Sequence, residues 1–133
     1  MKKNIIITGG LGYIGTELCK IYSGVSWNNN ITVIDNRFIS ERVNQIRNWN
    51  MEFVQGDILD KELINKYCKN ADVVHHLAGI TDVPRTKSES IDIKDNKIKT
   101  VAEEGTQNIL DATNSKCKII FPSTHVVYEG IER

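Results

Sequence analysis

Short continuous apolar runs alternate along this chain with segments whose apolar residues recur every three or four positions. The runs Ile5-Ile6-Ile7, Ile31-Thr32-Val33-Ile34, Glu52-Phe53-Val54, Val73-Val74 and Lys118-Ile119-Ile120-Phe121 have strand length and are rich in β-branched residues. Most are continuous rather than alternating, as strands are when both faces of a parallel sheet are covered. Between them, Ile14, Leu18, Ile21 and Tyr22 fall on one face of a predicted helix, and so do Ile98, Val101, Ala102, Gly105 and Ile109. Shorter helices are predicted over Ser40 to Asn48 and Asp60 to Cys68, with Ser40 and Asp60 as N-caps. Repeated strand–helix alternation builds βαβ units with right-handed crossovers, hence an α/β fold with a doubly wound parallel sheet.

Composition narrows the picture. At 133 residues the chain has the length of one domain. Lys+Arg and Asp+Glu each total 17, a balance that argues against a nucleic-acid arm or a polybasic membrane anchor. No apolar run approaches the roughly 20 residues of a membrane span. The Ile5–Ile7 run breaks at Thr8-Gly9-Gly10, too soon for the apolar core of a signal peptide. The three cysteines, Cys19, Cys68 and Cys117, are far apart and form no CxxC pair. That usage disfavours a disulfide framework or a structural zinc site and fits a reducing cytoplasm.

The most informative stretch is Thr8-Gly9-Gly10-Leu11-Gly12-Tyr13-Ile14-Gly15, directly after the first strand and opening the first helix. Gly9, Gly12 and Gly15 suit a tight turn, a backbone that can touch a pyrophosphate, and a helix packed close to its strand. The helix N-terminus then presents unpaired N–H groups to the anion. Asp35 closes the second strand 20 residues after Gly15, the spacing at which a carboxylate reaches the adenosine ribose hydroxyls. A 2′-phosphate there would meet like charge, which predicts NAD over NADP by about tenfold or more. Arg37 could clamp such a phosphate, but a solvated loop cation is the expected role. With these features the sheet reads as Rossmann-like.

These residues resemble the extended short-chain dehydrogenase/reductase family, the NAD-dependent epimerases and dehydratases typified by nucleotide-sugar epimerases. The glycine turn looks like that family's TGGxGYIG, and Asp35-Asn36 like its ribose-binding pair. Gly56-Asp57-Ile58 is similar to the motif whose Asp and aliphatic residue line the adenine pocket. His76-Leu77-Ala78-Gly79 is similar to the HxAG end of the fourth strand, and Ser123-Thr124-His125-Val126-Val127-Tyr128 to the segment after the fifth. The resemblance implies a cofactor site of Gly9, Gly12, Tyr13, Ile14, Gly15, Asp35, Asn36, Asp57, Ile58, Leu77, Ala78 and Gly79. It implies that Thr124 hydrogen-bonds the substrate oxygen that becomes a carbonyl, with Ser123 in support. NAD and a sugar nucleotide are the implied partners, a homodimer a possible state. His75 and His76, adjacent on a strand, face opposite ways, so a joint metal site is excluded and buried, hydrogen-bonded rings are expected. His125 is expected to be structural or a pocket wall.

Two departures qualify the resemblance. The family's general base is a Tyr-x-x-x-Lys pair, yet the residues four beyond Tyr13, Tyr22, Tyr67 and Tyr128 are Glu17, Ser26, Ala71 and Glu132. Residues 1–133 are therefore expected to be an incomplete NAD(P)-binding Rossmann domain, the amino-terminal portion of a longer enzyme without its substrate domain, and inactive by itself. A non-catalytic NAD-binding module and one half of a split enzyme are the alternatives. Secondly, Ala102-Glu103-Glu104-Gly105-Thr106 stands where the family has Asn-Val-x-Gly-Thr, and Gly105 in mid-helix implies close helix–sheet packing. Within the polar loop Thr81 to Ser90, Arg85 or Lys87 could face a diphosphate, with a solvated loop the expected state.

Overall fold

The computed structural model describes residues 2–78 and 103–121. Five strands, β1 (Asn4–Thr8), β2 (Asn30–Asp35), β3 (Glu52–Gln55), β4 (Val73–His76) and β5 (Lys118–Ile120), form one parallel sheet in the order β3-β2-β1-β4-β5. Every predicted strand is present, and the architecture is the Rossmann-like α/β fold the alternation implied. The chain moves outward from β1 through β2 and β3, then crosses back to β4. That reversal makes β1 and β4 the topological switch point, at whose carboxyl ends open α/β sheets place ligands.

Side-chain alternation along the strands splits the core into two layers. Ile5, Ile7, Ile31 and Val33 pack with Cys19 of α1 (Tyr13–Tyr22) and with Val43 and Ile46 of α2 (Ser40–Asn48). Ile6, Ile34 and Val74 pack on the other face with Ile64 and Cys68 of α3 (Lys61–Cys68) and Ile109 of α4 (103–112). Each central strand is thus covered on both sides, which is why its sequence is a continuous apolar run. A 3₁₀ helix at Ser23–Asn28, not foreseen in the pattern, leads from α1 into β2. Among the described residues no helix is long and apolar enough to cross a membrane.

Two local expectations change. In α1 the buried positions are Gly15 and Cys19, with Leu18 and Tyr22 half-buried, whereas Ile14 and Ile21 are 53% and 73% exposed. The helix is turned because Gly15 is pressed on the preceding turn: a Cβ there would lie 2.5 Å from Gly10 Cα. Ser40 is the first residue of α2 rather than its cap; Ile39 takes the N-cap position, with no side-chain hydrogen bond. Asp60 caps α3 as expected, accepting from Leu63 N–H at 3.1 Å.

Candidate functional site

The turn from β1 into α1 is shaped by what surrounds it. Gly9 has φ +71°, donates its N–H to Ile34 O at 2.7 Å and accepts from Gly12 N–H at 3.2 Å. A Cβ on Gly9 would also come within 2.7 Å of Ala78 N, so this backbone presses against the end of β4. Gly10 is equally constrained, since a Cβ would lie 2.2 Å from Val33 Cγ1. The sequence spacing singled out Gly9, Gly12 and Gly15 and missed Gly10, whose neighbour is 23 residues away in the chain. Gly12 differs from the rest. Its Cβ would meet only Arg37 Nη2 at 3.5 Å and Gly9 O at 3.6 Å, ordinary contact distances. As N-cap of α1 it makes no side-chain cap hydrogen bond, so backbone rather than side chain heads this helix. Tyr13 and Ile14 follow it on the exposed side.

Asp35 ends β2 at 4% exposure and ties the turn to the sheet. Its Oδ2 accepts from Leu11 N–H at 3.0 Å and its Oδ1 from Arg37 N–H at 3.0 Å. The Arg37 guanidinium closes on the same carboxylate, Nε on Oδ1 at 3.1 Å and Nη2 on Oδ2 at 3.2 Å. Arg37 is therefore not simply a solvated loop cation: its side chain is 53% exposed, yet it is paired with Asp35. From α2, Arg42 donates to Leu11 O and lies 5.9 Å from the Tyr13 ring centroid. Gly56 N–H donates to Asp35 O at 2.9 Å, which brings the Gly56-Asp57-Ile58 segment alongside. Asn36 is exposed, and its carbonyl accepts from Gln55 Nε2 at 3.3 Å.

Beneath the turn runs a buried relay that spacing could not reveal. Thr8 Oγ1 accepts from Leu77 N–H and Ala78 N–H, each at 3.1 Å, and lies 2.8 Å from His76 Nδ1. With both lone pairs engaged, the hydroxyl must donate to Nδ1, so the ring carries its proton on Nε2. Nε2 then donates to Thr106 Oγ1 on α4 at 3.2 Å. Burial pushes the His76 pKa down to about 4, which keeps this ring neutral at pH 7. On the opposite sheet face His75 Nε2 is 2.8 Å from Tyr22 Oη, and burial lowers its pKa as well. Both histidines are buried and hydrogen-bonded on opposite faces, as expected. Cys19 and Cys68 are buried free thiols pushed up to about 12 by desolvation, so neither is a nucleophile at neutral pH.

The remaining candidates divide. Asp57 is exposed and its Oδ1 accepts from Leu59 N–H at 2.9 Å, closing its own turn. Ile58 is 5% exposed beneath Gly105, where a Cβ would lie 2.2 Å from Ile58 Cδ1. Asn108 Nδ2 donates to Ile58 O at 2.9 Å, completing that junction. The close packing expected between Gly105 and the sheet is made instead against Ile58, in the segment after β3. Leu77 and Ala78 stand at the end of β4 against Gly9. Gly79, Ser123, Thr124 and His125, and the loop carrying Arg85 and Lys87, lie outside the described residues. Among the described residues no group of three or more His, Cys, Asp or Glu could hold a metal ion.

A glycine turn at the switch point of a 3-2-1-4-5 sheet, with a carboxylate ending β2, defines the dinucleotide-binding class of α/β proteins. The chain belongs to the 3-beta hydroxysteroid dehydrogenase/isomerase family, whose profile matches residues 6–131. It is 35% identical over 130 residues to UDP-N-acetyl-alpha-D-glucosaminuronate decarboxylase of Bacillus cytotoxicus, covering 96% of this chain and 38% of that protein. A UDP-N-acetylglucosamine 4-epimerase from Methanobrevibacter ruminantium, solved with UDP-N-acetylmuramic acid, matches with a TM-score of 0.67 at 29% identity, over 96% of this chain and 40% of that one. UDP-glucose 4-epimerase from Bifidobacterium longum, solved with NAD+ and UDP, gives a TM-score of 0.72 at 27% identity, over 93% and 38% respectively. The resemblance to sugar-nucleotide epimerases and dehydratases holds, and the chain corresponds to the N-terminal part of such enzymes, 38% of the decarboxylase's length.

Proposed function

We propose that this chain is the NAD-binding portion of an epimerase, dehydratase or reductase that acts on a sugar nucleotide by hydride transfer. The observation that carries the reading is the buried carboxylate of Asp35 tied to Leu11 N–H, in the same turn as Gly12, whose glycine no protein neighbour demands. The backbone at Gly12 admits the pyrophosphate, and Asp35 with Asn36 takes the adenosine ribose. Gly9 and Gly15 hold the turn shut behind it, Tyr13 and Ile14 flank its mouth, and Asp57 with Ile58 borders the adenine. Leu77, Ala78 and Gly79 allow close approach at the end of β4. When bound, NAD supplies the hydride acceptor. Thr124 holds the substrate oxygen, with Ser123 supporting it.

Proton acceptance falls to residues this chain does not carry, since no tyrosine is followed by lysine four positions on. The chain by itself therefore binds without turnover. Two alternative readings are a non-catalytic NAD-binding module and one half of a split enzyme; co-purification with a partner carrying Tyr-x-x-x-Lys would support the split enzyme. The reading places the protein in the cytoplasm, free or as a homodimer. Calorimetric titration tests it: NAD+ binds the protein, and Asp35→Asn, which keeps an acceptor for Leu11 N–H but removes the charge, weakens that binding at least about tenfold. Absence of NAD+ binding, or an unchanged affinity in the variant, would refute the assignment.

A further inference from the structure

The way the head of α1 faces a ligand depends on one peptide plane, that between Leu11 and Gly12. Its N–H belongs to Gly12 and donates to Gly9 O at 3.2 Å. The first bond within α1, Thr16 N–H to Gly12 O at 2.8 Å, comes only after it. The N–H groups of Tyr13, Ile14 and Gly15 therefore lead the helix without intrahelical acceptors. Glycine gives the plane little steric direction: a Cβ on Gly12 would meet nothing closer than 3.5 Å, and without one the plane can turn over. Water cannot hold its other end either, because Leu11 is fully buried.

That end is held from α2. Arg42, the third residue of the helix and half-buried, donates Nη1–H to Leu11 O, and its guanidinium carbon lies 5.9 Å from the Tyr13 ring centroid. Asp35 Oδ2 takes Leu11 N–H at 3.0 Å, so the two polar groups of Leu11 are tied to different elements. Resting on the reading that this turn takes the NAD pyrophosphate, we infer that Arg42 is a positioning residue for it. Arg42 acts through Leu11 O: it locks the Leu11–Gly12 plane so that the N–H groups leading α1 face the anion. Without the guanidinium, Leu11 O is a buried acceptor with no partner, and the plane turns to find one, carrying Gly12 N–H off Gly9 O.

The test is titration of the protein, Arg42→Met and Arg42→Lys, by calorimetry with NAD+ and ADP-ribose and by NMR shifts with adenosine, which lacks the pyrophosphate. Arg42→Met weakens NAD+ and ADP-ribose by about tenfold or more and leaves adenosine within about twofold. Arg42→Lys, which keeps the charge and a donor and disturbs folding least, restores most of that loss. The loss persists in about 0.5 M salt, where screening shortens to roughly 4 Å and a mere long-range attraction fades. Equal losses for NAD+ and adenosine, an unchanged NAD+ affinity in Arg42→Met, no recovery in Arg42→Lys, or a loss that vanishes in salt overturns the role of Arg42 and leaves the cofactor site standing. A wild-type protein that binds neither NAD+ nor ADP-ribose removes the underlying reading as well.

Discussion

Mild acid destabilises this domain through His76. The ring is 3% exposed, edge-on to Phe121 at 5.5 Å between centroids, and accepts the Thr8 hydroxyl proton at Nδ1. Protonating Nδ1 would set two donors against each other, because the Thr8 lone pairs already take Leu77 N–H and Ala78 N–H. Burial holds its pKa at about 4, against 6.5 for an ordinary histidine. Above pH 6.5 the ring is neutral both folded and unfolded, and the relay contributes in full. Below 6.5 the unfolded chain takes up a proton that the folded chain refuses, so stability falls with falling pH until the folded ring titrates near 4. That span is worth about 3 kcal/mol, a large part of the roughly 5–15 kcal/mol typical of a domain. The assay is urea unfolding of the wild type and His76→Asn between pH 7.5 and 4.5. Asparagine keeps an acceptor near Thr8 but does not titrate, so subtraction removes the carboxylates and the smaller effect of His75. Parallel loss of stability in the two proteins between pH 6.5 and 4.5 would refute the argument.

Two further predictions concern packing and capping. Gly105→Ala sets helix propensity, worth about 1 kcal/mol, against overpacking on Ile58, and Ile58→Ala relieves the clash by removing Cδ1 and Cγ1, at 2.2 and 2.8 Å from the added Cβ. A double-mutant cycle read by urea unfolding should show coupling of at least about 0.5 kcal/mol; strict additivity would mean the junction gives way freely. Asp60→Ala removes the acceptor for Leu63 N–H and should cost about 1 kcal/mol, seen as a lower urea midpoint. An unchanged midpoint would show that water replaces the cap.

The strands were legible because being covered on both faces leaves a mark that does not depend on which residues do the covering. Ile5-Ile6-Ile7 is apolar throughout because Ile5 and Ile7 enter one core layer and Ile6 the other. The glycine turn and Asp35 were legible for a related reason. A positive φ, a tight turn and a carboxylate one βαβ unit later are local demands, written at fixed spacing. Helix α1 shows the limit. Its apolar residues allowed a stripe through Ile14 and Ile21, but contact of Gly15 with the turn set the rotation and left both exposed.

What the sequence by itself determined is the element order, the parallel sheet, the glycine turn after β1 and the carboxylate that ends β2. All follow from chain-local periodicity and backbone sterics. Only the tertiary structure decided that Arg37 closes on Asp35, that Gly10 must clear Val33, and that Thr8, His76 and Thr106 share one ordered set of protons. These depend on atoms from different strands and helices meeting within hydrogen-bond or van der Waals reach. Such meetings are set by how the layers pack, and no spacing along the chain encodes them.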